Sequence, residues 1–156
     1  MSMLFPGRMP FSLSQPHQAQ QGRHMANGSI RHNPFAVAPT FETIYAHAVE
    51  IPASSRVLHV SGQIGRSPNG GIPEGFEGQF RLAIANLGQV LAGAGMDTSD
   101  LVKLTFFVTN AADLAQLGSI RRELLSVSPA VTTLVVAGLA APELLVEVEA
   151  IAAKTS

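Results

Sequence analysis

The stretch that decides the fold is PAVTTLVVAGLAAPELLVEVEAIAA, residues Pro129–Ala153. Two apolar runs rich in β-branched residues, Val131–Leu139 and Leu144–Ala153, flank a short Ala-Ala-Pro-Glu turn. Both runs have the composition of β-strands, and Pro142 belongs in the turn because proline cannot donate a backbone hydrogen bond to a sheet. We therefore predict that the chain closes with two strands.

The second of these strands carries two carboxylates on one face. Successive side chains of a strand point to opposite sides, so Glu147 and Glu149 project together, between Leu145 and Ile151. The opposite face is apolar, and it consists of Leu144, Val146, Val148 and Ala150. Two acids on one side of such an apolar strand indicate either a functional site or a solvated face.

Upstream of this stretch, hydrophobic periodicity predicts three more strands and two helices. They are strands at Tyr45–Ile51, Arg56–Ile64 and Leu101–Thr109, a helix that runs from Glu74 to Gly95, and a second helix that Asn110 caps. The first two strands are expected to pair as an antiparallel hairpin across a Pro-Ala-Ser-Ser connection. Ser61 and Gly62 interrupt the second strand, and a glycine there marks a bulge or a close approach to the backbone.

The element order β-β-α-β-α-β-β predicts an α+β domain in which one mixed sheet carries both helices on one face. The other sheet face is expected to present side chains of mixed character, namely Lys103, Thr105, Phe107, Thr109, Glu147 and Glu149. Such a face commonly meets another subunit, and pockets form at the seam. We assign residues 31–156 to this single domain and residues 1–30 to a flexible N-terminal arm.

The overall composition is apolar and nearly neutral. Of 156 residues, 46% are hydrophobic and only 13% are charged, which suggests that a second copy of the chain covers apolar surface. Residues 41–156 carry seven basic and eleven acidic residues, and this net charge of −4 disfavours nucleic acid as a partner. Arg121 and Arg122 are expected to be a solvated or interface pair rather than a nucleic-acid patch.

Several kinds of site and location are not expected. The chain has no cysteine, and His17, His24 and His32 lack the spacing of metal ligands, so we expect neither a metal nor a cofactor. No apolar run reaches the length of a membrane span, and prolines and serines interrupt the N-terminal apolar residues where a signal peptide would have its core. We therefore expect a cytoplasmic protein.

Four segments together resemble the RidA family, also called YjgF-like. They are SGQI at Ser61–Ile64, AIANLGQVLAGAG at Ala83–Gly95, DLVKLTFFVT at Asp100–Thr109 and PELLVEVEAIA at Pro142–Ala152. The resemblance runs from about Tyr45 to Ala153, and it implies a homotrimer with three small-molecule clefts between neighbouring subunits. Members of that family proper hydrolyse reactive 2-imino or enamino acids to 2-keto acids and ammonia.

The resemblance also implies roles for individual residues. Glu147 falls on the glutamate that positions the attacking water, and it is the candidate catalytic residue. The positions that complete the pocket are Tyr45, Ser61, Gly62, Thr132 and Thr133. In this set Gly62 and Thr133 are expected to contribute backbone amides, and Tyr45 a side chain.

Two positions depart from the family pattern. The family reads Pro-Ala-Arg-Ser, with an arginine that binds the substrate carboxylate, whereas this chain has Val131 there; a helix position that is commonly Asn is Gly118. Valine cannot replace a guanidinium that binds bidentately, and losing such a buried anchor costs several kcal/mol, roughly a thousandfold in selectivity. We therefore expect a neutral or weakly anionic ligand, and not classical 2-iminoacid deamination.

The leading hypothesis is a small-molecule cleft in which Glu147 assists the addition of water to a C=N or C=O group, with the Gly62 and Thr133 amides as oxyanion-type donors. The alternative is a non-catalytic binding protein, in which Glu147 and Glu149 pair with Lys103 or with arginines. A third function, endoribonuclease activity, is a label that the family has carried. The acidic domain and the absence of a basic stacking surface disfavour it.

Overall fold

The computed structural model describes residues 23–34, 36–38, 40 and 44–155. Its strands are β1 Arg23–His24, β2 Ile30–His32, β3 Ala48–Glu50, β4 Ser55–Ile64, β5 Leu101–Val108, β6 Ala130–Val135 and β7 Val146–Thr155. Its α-helices are α1 Gly75–Gly93 and α2 Leu114–Leu124, and short 3-10 turns at Thr98–Asp100 and Ala111–Asp113 precede β5 and α2. Neither α-helix is long and apolar enough to cross a membrane.

The main sheet has the strand order β4-β7-β5-β6. β7 pairs antiparallel with both β4 and β5, while β5 and β6 are parallel and are connected through α2. A parallel pair needs such a crossover, whereas the antiparallel pairs do not. Both helices pack on one face of this mixed sheet, so the predicted α+β fold class is confirmed.

The core lies between the sheet and the two helices. Alternate residues of β5 are buried, from Val102 to Val108, and the matching residues of β7, Val146 and Val148, are completely buried. The helices contribute the apolar side chains that fill this layer, among them Phe80, Leu87, Leu91, Leu117 and Ile120. The alternation predicted for both strands is therefore confirmed.

The ends of α1 follow the predicted signals. Glu74 is the N-cap residue, and Gly95 lies just past the C-cap with a φ of 70°. The Met96 N–H donates to the Leu91 carbonyl over 2.9 Å, and the Gly95 N–H donates to Ala92 over 3.0 Å. These two bonds form a Schellman motif, which satisfies carbonyls at the helix end and favours glycine at that position.

The predicted hairpin between the first two strands is wrong. β3 pairs antiparallel with β2, with Val49 opposite Arg31, and belongs to a separate three-stranded sheet of order β1-β2-β3. β4 instead pairs with β7 from Ser55 to Ile64. β3 has only three residues, and the two at its ends are exposed, so it offers little apolar area that could compete with β7 for β4.

Residues 23–30, which the sequence assigned to the arm, are packed on the domain. Asn27 is buried, and its Nδ2 donates to the carbonyl oxygens of Asp100 and Ala153 over 3.2 and 2.9 Å. Its Oδ1 accepts the N–H of Ser29 over 3.0 Å. Asn27 therefore joins this segment to the domain by two hydrogen bonds, and residues 1–22 lie outside the described part of the chain.

The predicted closing strands are present with shifted ends. β6 stops at Val135 instead of Leu139, and β7 begins at Val146 instead of Leu144. Leu144 is held in the turn by a bond from its N–H to the Ala141 carbonyl, and the Leu145 N–H donates to the Gln79 side chain. Side-chain and turn bonds therefore replace the ladder at these positions.

Candidate functional site

We call the side of the main sheet that faces away from the helices the outer face. Neighbouring strands place its side chains in rows. One row contains Ile64, Glu147, Phe107 and Leu134, on β4, β7, β5 and β6 in that order. The next contains Glu149, Thr105 and Thr132. The predicted sharing of one face by the two glutamates and the polar side of β5 is thus confirmed.

Glu147 lies directly over the backbone of Gly62. A Cβ atom added to Gly62 would overlap the carboxylate of Glu147, whose Cδ lies 2.5 Å and Cγ 2.7 Å from that position. Any side chain at residue 62 would therefore displace the carboxylate. The close approach that Gly62 was predicted to mark is an approach by the candidate catalytic acid.

A register shift accompanies this contact. Between Val60 and Gln63 the pairing of β4 with β7 slips, so Ser61 and Gly62 have no partner in the ladder. The Gln63 side chain bonds back to the Ser61 carbonyl over 3.1 Å. Bulges of this kind re-aim side chains and free backbone groups beside functional sites. The Ser-Gly interruption in the sequence is thus the source of both features.

The predicted pocket residues of β6 divide between the two sides of the sheet. Val131 pairs with the buried Leu104 and packs against the core, so its side chain points away from the outer face. Thr132 belongs to the outer face, where it accepts a 2.5 Å hydrogen bond from the Lys103 ammonium. Thr133 is exposed on this edge strand.

Tyr45 and Gly118 lie apart from Glu147 within one chain. Tyr45 is half-buried and meets the ring of His47 edge-on, and the next residue, Ala46, bridges to Ala130 at the start of β6. Gly118 is in α2, which packs on the opposite side of the sheet. One chain therefore brings Gly62 and Glu147 together, and it places Tyr45 beside the β6 edge.

No described cation contacts either glutamate of the outer face. The four ion pairs among the described residues involve other acids, and Lys103 bonds to Thr132 instead. The pairing of Glu147 and Glu149 with Lys103 therefore does not occur within one chain. A shallow cavity of about 170 Å³ lies beside Glu149 on this face, and its walls include His59, Lys103 and Thr105.

The structure corrects the expectation for Arg121. This residue is only 3% exposed, and its Nη2 donates to the Ile44 carbonyl, while Arg122 is exposed. The sequence contained a signal for this burial, because residue 121 lies four positions after Leu117 and four before Leu125, on the apolar stripe of α2. Burial, together with the neighbouring charge of Arg122, lowers the pKa of Arg121 to about 10.

The chain folds as a compact α+β domain. Two helices cover one face of a mixed sheet, and an acid lies over a glycine backbone on the other face, which is open and partly polar. The model of the family described as Endoribonuclease L-PSP matches residues 35–154, so the chain belongs to this family, the Rid or YjgF-like proteins.

Curated relatives carry the names of imine deaminases and of a RutC family protein. The chain is 32% identical over 89 residues to the 2-iminobutanoate/2-iminopropanoate deaminase of Mus musculus, covering 56% of this chain and 60% of that protein. It is 33% identical over 93 residues to a RutC family protein of Aquifex aeolicus, covering 57% and 72%. The match thus spans about 60% of the length of the mouse relative.

Solved structures extend the similarity over most of the domain. YyfB from Yersinia pestis, a Rid family protein of unknown function, is 34% identical with a TM-score of 0.72, over 80% of this chain and 97% of that one. RidA from an Antarctic Psychrobacter is 30% identical with a TM-score of 0.60, over 74% and 92%.

Proposed function

We propose that this chain forms a homotrimer that hydrolyses the C=N bond of a small, uncharged imine or enamine, with Glu147 as the general base. The observation that carries the proposal is the position of the Glu147 carboxylate over the Gly62 backbone. The names of the curated relatives, which include imine deaminases, support the same reaction class.

The proposed reaction begins with a water molecule held by Glu147. The carboxylate takes one proton from this water as the oxygen attacks the imine carbon, and it then gives this proton to the imine nitrogen, which yields a neutral carbinolamine. Glu147 next takes the hydroxyl proton and passes it to nitrogen as the C–N bond breaks, so the carbonyl forms, ammonia leaves and the carboxylate is restored. The Gly62 amide lies at the register shift of the β4–β7 ladder, and we propose that it donates to the polar groups on which charge develops.

The apolar side chain of Val131 is the argument for an uncharged substrate. It packs against the core, at the position where the resemblance places the carboxylate-binding arginine. A guanidinium there would supply two parallel hydrogen bonds to a carboxylate, and an isopropyl group supplies none. The substrate is therefore proposed to lack the carboxylate of 2-iminobutanoate.

The distances across the sheet support completion of the site by a second copy. Glu147 on β7 and Thr133 on β6 are separated by β5, so they lie on the order of 10 Å apart in one chain. Phe107 on β5 pairs with Glu147, and it continues the row to Leu134, the neighbour of Thr133 in the chain. On the outer face Val57 and Leu134 are 47% and 45% exposed, which is apolar area that subunit contact would cover. We propose that the cleft lies at this seam.

The test compares two substrates that differ only in charge, 2-iminobutanoate and its primary amide, each generated in situ, with ammonia release as the measurement. The wild-type chain should prefer the amide. Glu147→Gln should reduce turnover by about a hundredfold or more while the melting temperature is retained. Val131→Arg should shift the preference toward the acid by up to about a thousandfold, and Val131→Met serves as the long uncharged control.

Each outcome bears on a separate part of the proposal. If the wild-type chain turns over the acid as fast as the amide, Val131 no longer argues for an uncharged substrate. Lys103→Met would then test whether Lys103, the cation of the described outer face that bonds to β6, binds the substrate carboxylate. Full activity of Glu147→Gln would exclude Glu147 as the base. Binding of the amide without turnover in any variant would support the second candidate, a non-catalytic binding protein. That candidate is favoured by the shallow cavity beside Glu149.

A further inference from the structure

A second cavity lies on the helix side of the sheet, at the C-terminal end of α2. Its volume is about 270 Å³, and it is lined by Ile44, Arg121, Arg122, Leu125, Ser126 and Val127. No carboxylate is among the described residues that line it. The cavity is separate from the outer face, and the charged side chains in the described lining are two guanidinium groups.

Arg121 is buried here, and it forms no ion pair with any acid in the described part of the chain. Of its nitrogen atoms, Nη2 donates to the Ile44 carbonyl, and the buried Nε has no hydrogen-bond partner in the described part of the chain. The guanidinium carbon lies 6.0 Å from the centre of the Phe106 ring, which limits access of water from that side. A buried cation with an unused donor is costly unless a partner offsets its desolvation.

Two described acids that are close in sequence to the linings of this region have other partners. Glu123, two residues along α2, accepts two bonds from Arg81 over 2.8 and 2.9 Å. Asp100 accepts the Asp97 N–H over 3.0 Å and lies 3.5 Å from the Lys154 ammonium. Neither carboxylate is therefore free to neutralise Arg121.

A neighbouring cavity extends the basic character of this region. Its volume is about 300 Å³, it shares Ser126 and Val127 with the first, and its lining includes Arg31, His24 and Ser128. The Nε of Arg31 is also buried and has no hydrogen-bond partner among the described residues. Two of the four unpaired buried side-chain atoms in the described chain are thus guanidinium nitrogens in adjoining cavities.

We propose that the cavity at Arg121 and Arg122 binds a small oxyanion, a carboxylate or a phosphate. The planar fork of a guanidinium presents parallel N–H groups whose spacing fits two oxygens of either anion. Arg121 and the exposed Arg122 both line this space, and the buried Nε of Arg121 has no hydrogen-bond partner among the described residues. A bound anion would pair the charge that the fold leaves unpaired. This site is independent of the proposed imine chemistry.

The test titrates the full chain with inorganic phosphate and, separately, with acetate, at constant ionic strength set by chloride. The measurement is the arginine Nε–Hε resonance of Arg121 in nitrogen-correlated NMR spectra, assigned by its absence in Arg121→Met. We expect this resonance to shift along a saturable curve with at least one of the two anions. Arg122→Gln should weaken the apparent affinity about tenfold, since it removes one charge-assisted partner.

Arg66→Gln is the matched control, because the Arg66 side chain is exposed on a loop and its one hydrogen bond among the described groups is to the Gly70 carbonyl. It removes the same charge and should leave the titration unchanged. A linear response up to about 50 mM of both anions, a concentration at which only very weak binding remains undetected, would overturn the proposal. So would equal affinity in wild type and Arg122→Gln. If Arg121→Met fails to fold, the Arg122→Gln comparison still decides.

Discussion

Gly62 and Gly65 lie three residues apart at the end of β4, yet they face opposite layers of the molecule. A Cβ at Gly62 would overlap the Glu147 carboxylate on the outer face. A Cβ at Gly65 would overlap the main chain of Gln79 in α1, with the Gln79 Cα at 2.5 Å and its carbonyl carbon at 2.7 Å. A carboxylate can rotate away, whereas a packed helix backbone cannot. Gly65 therefore constrains the fold, and Gly62 constrains the site.

The largest expected effect is on stability, at Gly65. Gly65→Ala forces β4 and α1 apart, and we expect a loss of about 3 kcal/mol in the free energy of unfolding, at the upper end for overpacking. Denaturant unfolding followed by circular dichroism would measure it. Gly88→Ala is the control, because an added Cβ there meets nothing within 4 Å in the interior of α1. It should stabilise by about 0.5–1 kcal/mol, as alanine is the better helix former.

Gly62→Ala should have the opposite effect, with a small loss of stability and a large loss of activity. The Glu147 carboxylate can rotate away from the new methyl group, so we expect a stability loss below about 1 kcal/mol, within the range of ordinary surface changes. Turnover of the amide substrate should nonetheless fall about a hundredfold, because the general base has left its position.

The double variant Gly62→Ala/Glu147→Gln separates positioning from other effects. If the methyl group acts only through Glu147, the double variant should be no slower than Glu147→Gln alone. Additive losses would show that Gly62 contributes in another way. If Gly62→Ala loses as much stability as Gly65→Ala, then Gly62 constrains the fold as Gly65 does, and the proposed difference between the two glycines is wrong.

Gln79 offers an intermediate test on the helix side. This buried side chain donates to the carbonyls of Pro73 and Glu143 over 3.3 and 2.9 Å, and it accepts the Leu145 N–H over 2.8 Å. Gln79→Met keeps the volume and removes all three bonds, so we expect a loss of about 2 kcal/mol. Because Leu145 precedes β7, amide exchange at Leu145 should accelerate in this variant. Unchanged exchange there would mean that packing alone holds the start of β7.

The outer face followed from the sequence because it depends on a local rule. Side chains alternate along a strand, so the positions of Glu147, Glu149 and Phe107 on one face needed only correct strand assignment. The Ser-Gly pair signalled an irregularity for a similar local reason. Its partner, the carboxylate of Glu147, lies 85 residues away in sequence, and the alternation rule says nothing about that contact.

The regions that the sequence did not predict depend on distant contacts. β2 is three residues long and polar, so periodicity gave no strand, and Asn27 reaches carbonyls 73 and 126 residues away. The burial of Arg121 depends on a carbonyl 77 residues away. The charge of Arg121 predicted a solvent-exposed side chain, whereas its position on the apolar stripe of α2 buries it.

The smallest expected effect concerns the solvent-exposed side of the helix layer. The bonds from Arg81 hold the pKa of Glu123 below its usual value of 4.5, so the folded state binds this proton more weakly than the unfolded state. The pair therefore stabilises the fold above about pH 4.5, and this contribution is lost as the pH falls through the lowered value. In Glu123→Gln the melting temperature should depend less on pH in that acidic range, with little change at neutral pH because the pair is exposed.

Glu143→Gln, which removes an exposed acid with no described cation partner, is the control and should keep the wild-type dependence of melting temperature on pH. If the melting temperature depends equally on pH in all three proteins, the ion pair of Arg81 and Glu123 between α1 and α2 adds nothing to the stability of the helix layer in this range.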